Sequence, residues 1–271
     1  MRKAAPPIKF AVFLARRDEA ALDDLLAALA RAGAQGVELC PPAFFPDPVQ
    51  VTRTERAEFR ARVERHGLRI IGFHGLLEGH RSLGFFAGEA TVRQTLQLLK
   101  EQIKLCQELG GTAVTLGSPK ERSHGLDIEP EVAIRLAADE FRRLVPICES
   151  RRVCFAVDPA SPEETDFIRS FDEGSRLLSL VRHSRIRLAL DLRSWHRTGG
   201  SLPALVQERL PCITHVRVRE GLEPHLPHPC YGEALSAAGY RGWLSADLGP
   251  SGTPDFGRIA AVLAQLRGCY S

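Results

Sequence analysis

Three aspartates each close a short apolar run: Asp158 after 153–157, Asp191 after 186–190, and Asp247 near the end of 243–248. Carboxylates brought together repel one another unless a cation compensates. One candidate cation is a divalent metal, since oxygen ligands suit Mg²⁺ or Mn²⁺. The other is the guanidinium of Arg217. The plain alternative is that each Asp caps the helix behind it, a position Asp favours. More polar residues end apolar runs: Glu38 after Val37, His74 after Phe73, and Arg217, Arg219 and Glu220 at the end of 213–218. His215 precedes Arg217 by two residues, so both share one strand face, with His215 deeper and structural. His196, in Ser194-Trp195-His196-Arg197, stands just past the run that ends in Asp191. Arg122, after Gly117-Ser118-Pro119, is a candidate anion contact. His225 and His228 are three apart in a Pro-rich stretch, Glu223 to Pro229, which reads as a solvated loop, lid or interface. No P-loop, G-x-S-x-G or zinc-finger spacing occurs.

The elements around these residues alternate. Apolar runs at 8–14, 36–39, 68–73, 112–116, 153–157, 186–190, 213–218 and 243–248 read as strands. Amphipathic stretches at 19–32, 53–65, 89–109, 131–150, 171–181, 202–209, 231–238 and 256–266 read as helices. The strands are nearly all apolar, as expected when both faces of a parallel sheet are buried. Gly33, Gly67, Gly110-Gly111 and Gly239 stop helices just before the next strand. Eight such units in about 250 residues is the count of an α/β fold of one kind, the (β/α)₈ TIM barrel. A doubly wound sheet would want a Gly-rich phosphate turn after the first strand, and Leu14-Ala15-Arg16-Arg17 is not one. No linker interrupts residues 1–271, so one domain is expected. In a barrel the chemistry sits at the C-terminal strand ends, where the polar residues above fall.

Composition excludes other classes. Of 271 residues, 44% are hydrophobic and 25% charged, so disorder, coiled coil and collagen are out. The net charge of +3 is too small to argue for nucleic acid or an acidic membrane. No run of about 18 apolar residues exists to span a bilayer. The start, Met1 to Arg17, reads as a first strand and not a signal peptide. Seven cysteines without a C-x-x-C point to free thiols in a reducing cytoplasm.

Several segments together resemble the sugar phosphate isomerase/epimerase family of xylose isomerase-like barrels, which also contains the AP endonucleases. Gly110 to Pro119 is similar to the family's fourth strand and its Gly-Ser-Pro loop. Asp158-Pro159 with Glu164 to Phe167 resembles its fifth-strand Glu-Pro segment. Leu188 to Asp191 resembles its sixth-strand Asp, and His215 to Glu220 its His-x-His-x-x-Glu/Asp seventh strand. Gly239 to Asp247 resembles its final Gly-Tyr-x-Gly-Trp strand, which normally ends in Glu.

The resemblance implies proton transfer beside a carbonyl, through an enediolate polarised by a divalent metal (Mn, Mg, Co or Zn). Carried over by position, the metal ligands are Asp158, Asp191 and Asp247, with Arg217 where the family has His. Asp158 and Asp247 become the acid/base pair, each one methylene shorter than Glu. His74, Trp195, His196, Arg217 and Arg219 are expected to line the substrate pocket. A guanidinium has no lone pair to give a metal. At about 4 Å and an effective dielectric near 20, each unit charge pair is worth roughly 4 kcal/mol, and a dication doubles the repulsion. Arg217 there displaces the metal or serves in its place as the electrophile. The expected function is a sugar or sugar-phosphate isomerase or epimerase. The alternatives are a metal-independent lyase, dehydratase or cyclase, and a non-catalytic ligand-binding relative. The expected partner is a small sugar-like or anionic molecule. Family members are often dimers or tetramers, so a homo-oligomer is expected too.

Overall fold

A computed structural model describes residues 8–16, 18–198, 200–219, 226–249 and 256–270. Eight strands close into one barrel: β1 (Lys9–Leu14), β2 (Gly36–Leu39), β3 (Arg69–His74), β4 (Ala113–Thr115), β5 (Cys154–Val157), β6 (Ile186–Asp191), β7 (Ile213–Arg219) and β8 (Trp243–Asp247). Each pairs in parallel with its sequence neighbour, and β8 returns to β1. The expected TIM barrel is the fold. Every residue of β2 is buried, and β3 buries all but its first, because side chains on both faces of each strand are covered. One continuous apolar cluster runs from Ile8 to Tyr270 through the strands and the inward stripes of the helices. All seven cysteines are free thiols. Among the described residues, no helix is long and apolar enough to cross a membrane.

The structure corrects the helical reading in three places. The stretch read as one helix over 131–150 is two, Pro130–Arg142 and Val145–Arg151. Pro146 sits in the first turn of the second, where its missing N–H costs nothing and its ring ends the preceding helix. A short helix, Leu192–Thr198, follows β6 at once, where the apolar pattern marks no helix. His228 opens the helix His228–Ala237 and is buried, its Nδ1 2.8 Å from the Tyr270 hydroxyl, so it is not a solvated loop residue. His225, Glu220 and the first part of the Pro-rich stretch lie outside the described residues.

Two glycines shape the barrel mouth. A Cβ at Gly72 would come within 2.1 Å of the Ala113 carbonyl oxygen, so β3 and β4 approach only because no side chain stands there. Gly117 has φ +49°, and a Cβ on it would lie 2.7 Å from His74 Nε2. The turn after β4 therefore leaves room for the His74 ring.

Candidate functional site

Strand register brings the polar strand ends together. Asp191 stands opposite Arg217, Arg217 opposite Ser245, and Arg219 opposite Asp247. The period of two turns His215, Arg217 and Arg219 to one face of β7. Arg217 is only 1% exposed and is the centre of the arrangement. Its Nη1 donates to His74 Nε2 at 2.7 Å, and its Nη2 donates to Asp247 Oδ2 at 3.4 Å. Its Nε lies 3.5 Å from Glu38 Oε2. Nη1 is also 3.9 Å from Asp191 Oδ2 and 4.0 Å from Asp158 Oδ2. The Phe13 ring packs under the guanidinium, with its centroid 4.9 Å from Cζ, a cation–π contact.

The surrounding groups hold this cage in place. Arg219 donates from Nε to Asp191 Oδ2 at 2.6 Å and from Nη1 to Glu164 Oε1 at 3.2 Å. Burial pulls its guanidinium down, but Asp191, Asp158 and Glu164 outweigh that and hold it above the usual range. Asp191 has a second task. Its Oδ1 accepts from the Arg193 and Ser194 amides, both at 3.0 Å, and so starts the helix Leu192–Thr198. The helix-capping reading and the charge-cluster reading are both true of this residue. Glu38 lies beneath Arg217, accepting from Ser245 Oγ at 2.7 Å, with His215 Nε2 3.0 Å from its other oxygen. Burial pushes the Glu38 carboxyl up, yet His215 and Arg217 hold it far below the carboxylate range. Burial and the Arg217 charge push His74 well below the usual imidazole range. A neutral His74 with an acceptor at Nε2 fits the bond it receives from Arg217.

Asp158 is the least compensated member. It is buried, and its Oδ1 makes no hydrogen bond. Burial and the neighbouring Asp191 raise it to about 6, despite Arg217, Arg219 and Arg122. A folded-state pKa above the unfolded value means that the native state binds the extra proton. The associated stability is present below the unfolded value and lost as pH rises through about 6. Two units correspond to at most about 3 kcal/mol. In urea titrations at several pH values, Asp158→Asn is expected to gain on the wild type between about pH 4 and pH 7. A gap that does not move with pH would contradict this.

A cavity of about 380 Å³ opens on the cage, with His74, Arg217, Arg219 and Asp247 in its wall. Arg16, Cys40 and Glu78 also line it. Asp158 and Asp191 stand behind Arg217 and do not line it. Burial pushes the Cys40 thiol up to about 11, which makes it a poor nucleophile. Burial and the Glu121 charge raise the Glu78 carboxyl. A second hollow of about 470 Å³ shares Glu78 and adds Arg81, Lys120 and Glu121. Trp195 and His196, expected in the substrate pocket, are elsewhere. Trp195 packs edge-on against Phe171 in a separate hollow, and His196 is exposed with its Nδ1 2.8 Å from the Tyr231 hydroxyl. The helix that begins at Asp191 carries both away from the mouth. Arg122 is fully buried, not solvated, and its Nε and Nη1 make no hydrogen bond. Burial lowers it to about 10, with Asp158 and Glu164 offsetting part of the cost.

Residues of this site do not fit a divalent metal. The three candidate ligands Asp158, Asp191 and Asp247 converge on a guanidinium, which fills the space between them. Among the described residues no group of three or more His, Cys, Asp or Glu side chains is placed to hold a metal ion. Sequence reasoning missed Glu78 and Arg16, because both lie on loops beyond strand ends. It named Glu38 at a strand end without a role; its burial next to Arg217 is set by the barrel closure.

No functionally curated protein matches the chain in sequence. Solved structures match its fold over nearly the whole length. The D-psicose 3-epimerase of Clostridium cellulolyticum H10, solved with D-tagatose, superposes with a TM-score of 0.80 at 17% identity, covering 97% of this chain and 100% of that one. The 3-keto-D-glucoside 4-epimerase YcjR of E. coli gives 0.81 at 13% identity, with 97% and 100% covered. A family 2 AP endonuclease of Brucella melitensis gives 0.74 at 19% identity, with 97% and 98% covered. At these identities the likeness is one of fold. The sequence itself matches the xylose isomerase-like TIM barrel family over residues 26–267, and with a closed eight-stranded barrel and a polar cage at its C-terminal mouth, the chain belongs to that family.

Proposed function

We propose that this protein is an isomerase or epimerase of a small sugar-like carbonyl compound, with Arg217 as its fixed electrophile. The observation that carries the reading is Arg217 itself, buried among carboxylates yet in the cavity wall beside Asp247. The family and the named epimerases among the similar folds support the substrate class. Removing a proton beside a carbonyl puts negative charge on the carbonyl oxygen. A guanidinium held in place before the reaction stabilises that charge without reorganising. Asp247 is partly open to the cavity and takes the proton. Glu78, the second carboxyl in the wall, has a raised pKa that suits a donor. It returns a proton to the neighbouring carbon or to the opposite face. Asp158, expected as half of the acid/base pair, is assigned an electrostatic role behind Arg217.

The rim also favours an acidic group on the substrate. Arg16, Arg81 and Lys120 are exposed around the two hollows and make no ion pair with any described residue. The test is deuterium exchange from D₂O, followed by NMR, with ketopentoses, ketohexoses, their phosphates and sugar acids, all in EDTA. Exchange beside the carbonyl is expected with the wild type, reduced at least about 100-fold in Asp247→Asn, in line with loss of a general base. Tight binding of a ligand without exchange, across the whole set, would replace this reading with the non-catalytic one.

A further inference from the structure

We infer that the hollow beside Trp195 and Leu205 is a second binding site, for a neutral sugar ring, set apart from the cage. The inference rests on no step of the proposed reaction.

Three features carry it. First, the hollow has the size and the wall for a ring. It is about 360 Å³, within the range of small-molecule sites. It lies between the segment after β5, the helix that follows Asp191 and the helix Leu202–Arg209. Pro159, Phe171, Trp195 and Leu205 give it an apolar wall. Trp195 is held there by its neighbours: Phe171 meets it edge-on at 5.6 Å, and a Cβ at Gly200 would come within 2.4 Å of its Cζ2. A wall of this kind takes the apolar C–H face of a sugar ring.

Second, the same hollow carries hydrogen-bonding groups that the fold does not use. The side chains of Asp172, Ser201 and Glu208 make no hydrogen bond with any described residue. Ser201 stands at the N-cap of Leu202–Arg209 without capping it. Arg209 reaches only Glu208, at 3.9 Å, beyond hydrogen-bond range. The two carboxylates accept, the guanidinium donates and the hydroxyl does both. Sugar hydroxyls need both kinds of partner. The charges are also mixed, with Asp172 and Glu208 set against Arg209, while Arg169 is engaged by Glu173. That balance favours a neutral ligand over an acid, which the carboxylates repel, or a base, which Arg209 repels.

Third, the hollow touches the support of the cage. Ser194 lines it, and the same residue donates its amide to Asp191 Oδ1 at 3.0 Å and its hydroxyl to Glu164 Oε2 at 3.2 Å. Glu164 in turn accepts from Arg219. A ring seated against Ser194 therefore bears on the bonds that start the helix at Asp191.

The experiment uses the full chain with Trp243→Phe, which leaves Trp195 as its one tryptophan. Trp243 does not line the hollow. The probes are methyl α-D-glucopyranoside and methyl α-D-galactopyranoside. Neither has a free carbonyl, so neither is a substrate for the proposed reaction, and failure of that reaction leaves this test intact. Binding is read by Trp195 fluorescence and by saturation-transfer NMR. The expected result is a saturable change with a Kd on the order of 1 mM for at least one glycoside, as the usual affinity per atom gives for a molecule of this size. Ala204→Phe, which fills the hollow from an exposed position, weakens binding at least about tenfold, and so does Asp172→Asn/Glu208→Gln. Hydrogen exchange at the Arg193 and Ser194 amides slows on binding. Melting curves check that each variant is folded; the two act through different groups, so misfolding of one leaves the other as the test. No saturable change with either glycoside up to about 50 mM would overturn the inference. Binding that is unaltered in both folded variants, or that leaves the Arg193 and Ser194 amides unchanged, would put the sugar elsewhere and overturn it as well. Cyclohexanol or benzoate binding as tightly, with the same loss in Ala204→Phe, would overturn the assignment to a sugar.

Discussion

Replacing Arg217 with Met is expected to cost about 3–5 kcal/mol of stability, the usual price of breaking a buried ion network from one side. In a chain of this size that lowers the melting point by ~10 °C. Met keeps most of the apolar stem, so lost packing is a minor part. What remains is Glu38, Asp158, Asp191 and Asp247 facing one another without their shared cation. Like charges raise one another's pKa, so the native state of the variant takes up protons that the unfolded state has released. The deficit is therefore smallest near pH 5 and grows toward about pH 8. Arg217→Lys restores the charge but not the geometry. One ammonium is a point charge, whereas the guanidinium spans His74, Asp247 and Glu38 through three nitrogens. Urea unfolding at both pH values measures the effect. A deficit under about 1 kcal/mol and flat with pH would mean that Arg217 does not hold the cage together.

Asp191→Asn tests the same electrostatics from the carboxylate side. The amide oxygen can still accept from the Arg193 and Ser194 amides, so the helix start survives. The charge is what disappears, and with it the 2.6 Å ion pair to Arg219. Arg219 keeps Glu164, so the expected loss is nearer 2–3 kcal/mol than the full cost of an isolated buried charge, by order of magnitude. Asp191 is also, after burial, the leading reason that Asp158 stands at about 6. Its neutralisation should bring Asp158 down, visible in a ¹³C NMR titration of the side-chain carboxyl. Asp191→Ala should lose about 1 kcal/mol more, because the cap goes too. An Asp158 titration that stays put in Asp191→Asn would show that the two carboxyls do not sense each other.

How far the chain could be read without coordinates follows from these same residues. The eight strands and their order were legible because an apolar run bounded by turn residues is a local signal, and burial on both faces leaves little else for it to be. His74, Asp191, Arg217, Arg219 and Asp247 were legible as strand ends for the same reason. The break between Pro130–Arg142 and Val145–Arg151 escaped notice because the apolar period runs through it; Pro146 was the available clue. Trp195 and His196 were placed at the mouth by their nearness to Asp191 along the chain. A helix that starts on Asp191 itself turns such neighbours away within one turn.

Partnership was the part that sequence could not supply. Glu38 and Ser245 are 207 positions apart and meet only because β1 lies between β2 and β8 in a closed barrel. The same closure puts His74 of β3 against Arg217 of β7. The amino-acid sequence by itself determined the barrel and the set of charges delivered to its mouth, since those depend on local periodicity. Only the tertiary structure decided that one guanidinium stands among four carboxylates, because that depends on register and closure, which join residues far apart in the chain.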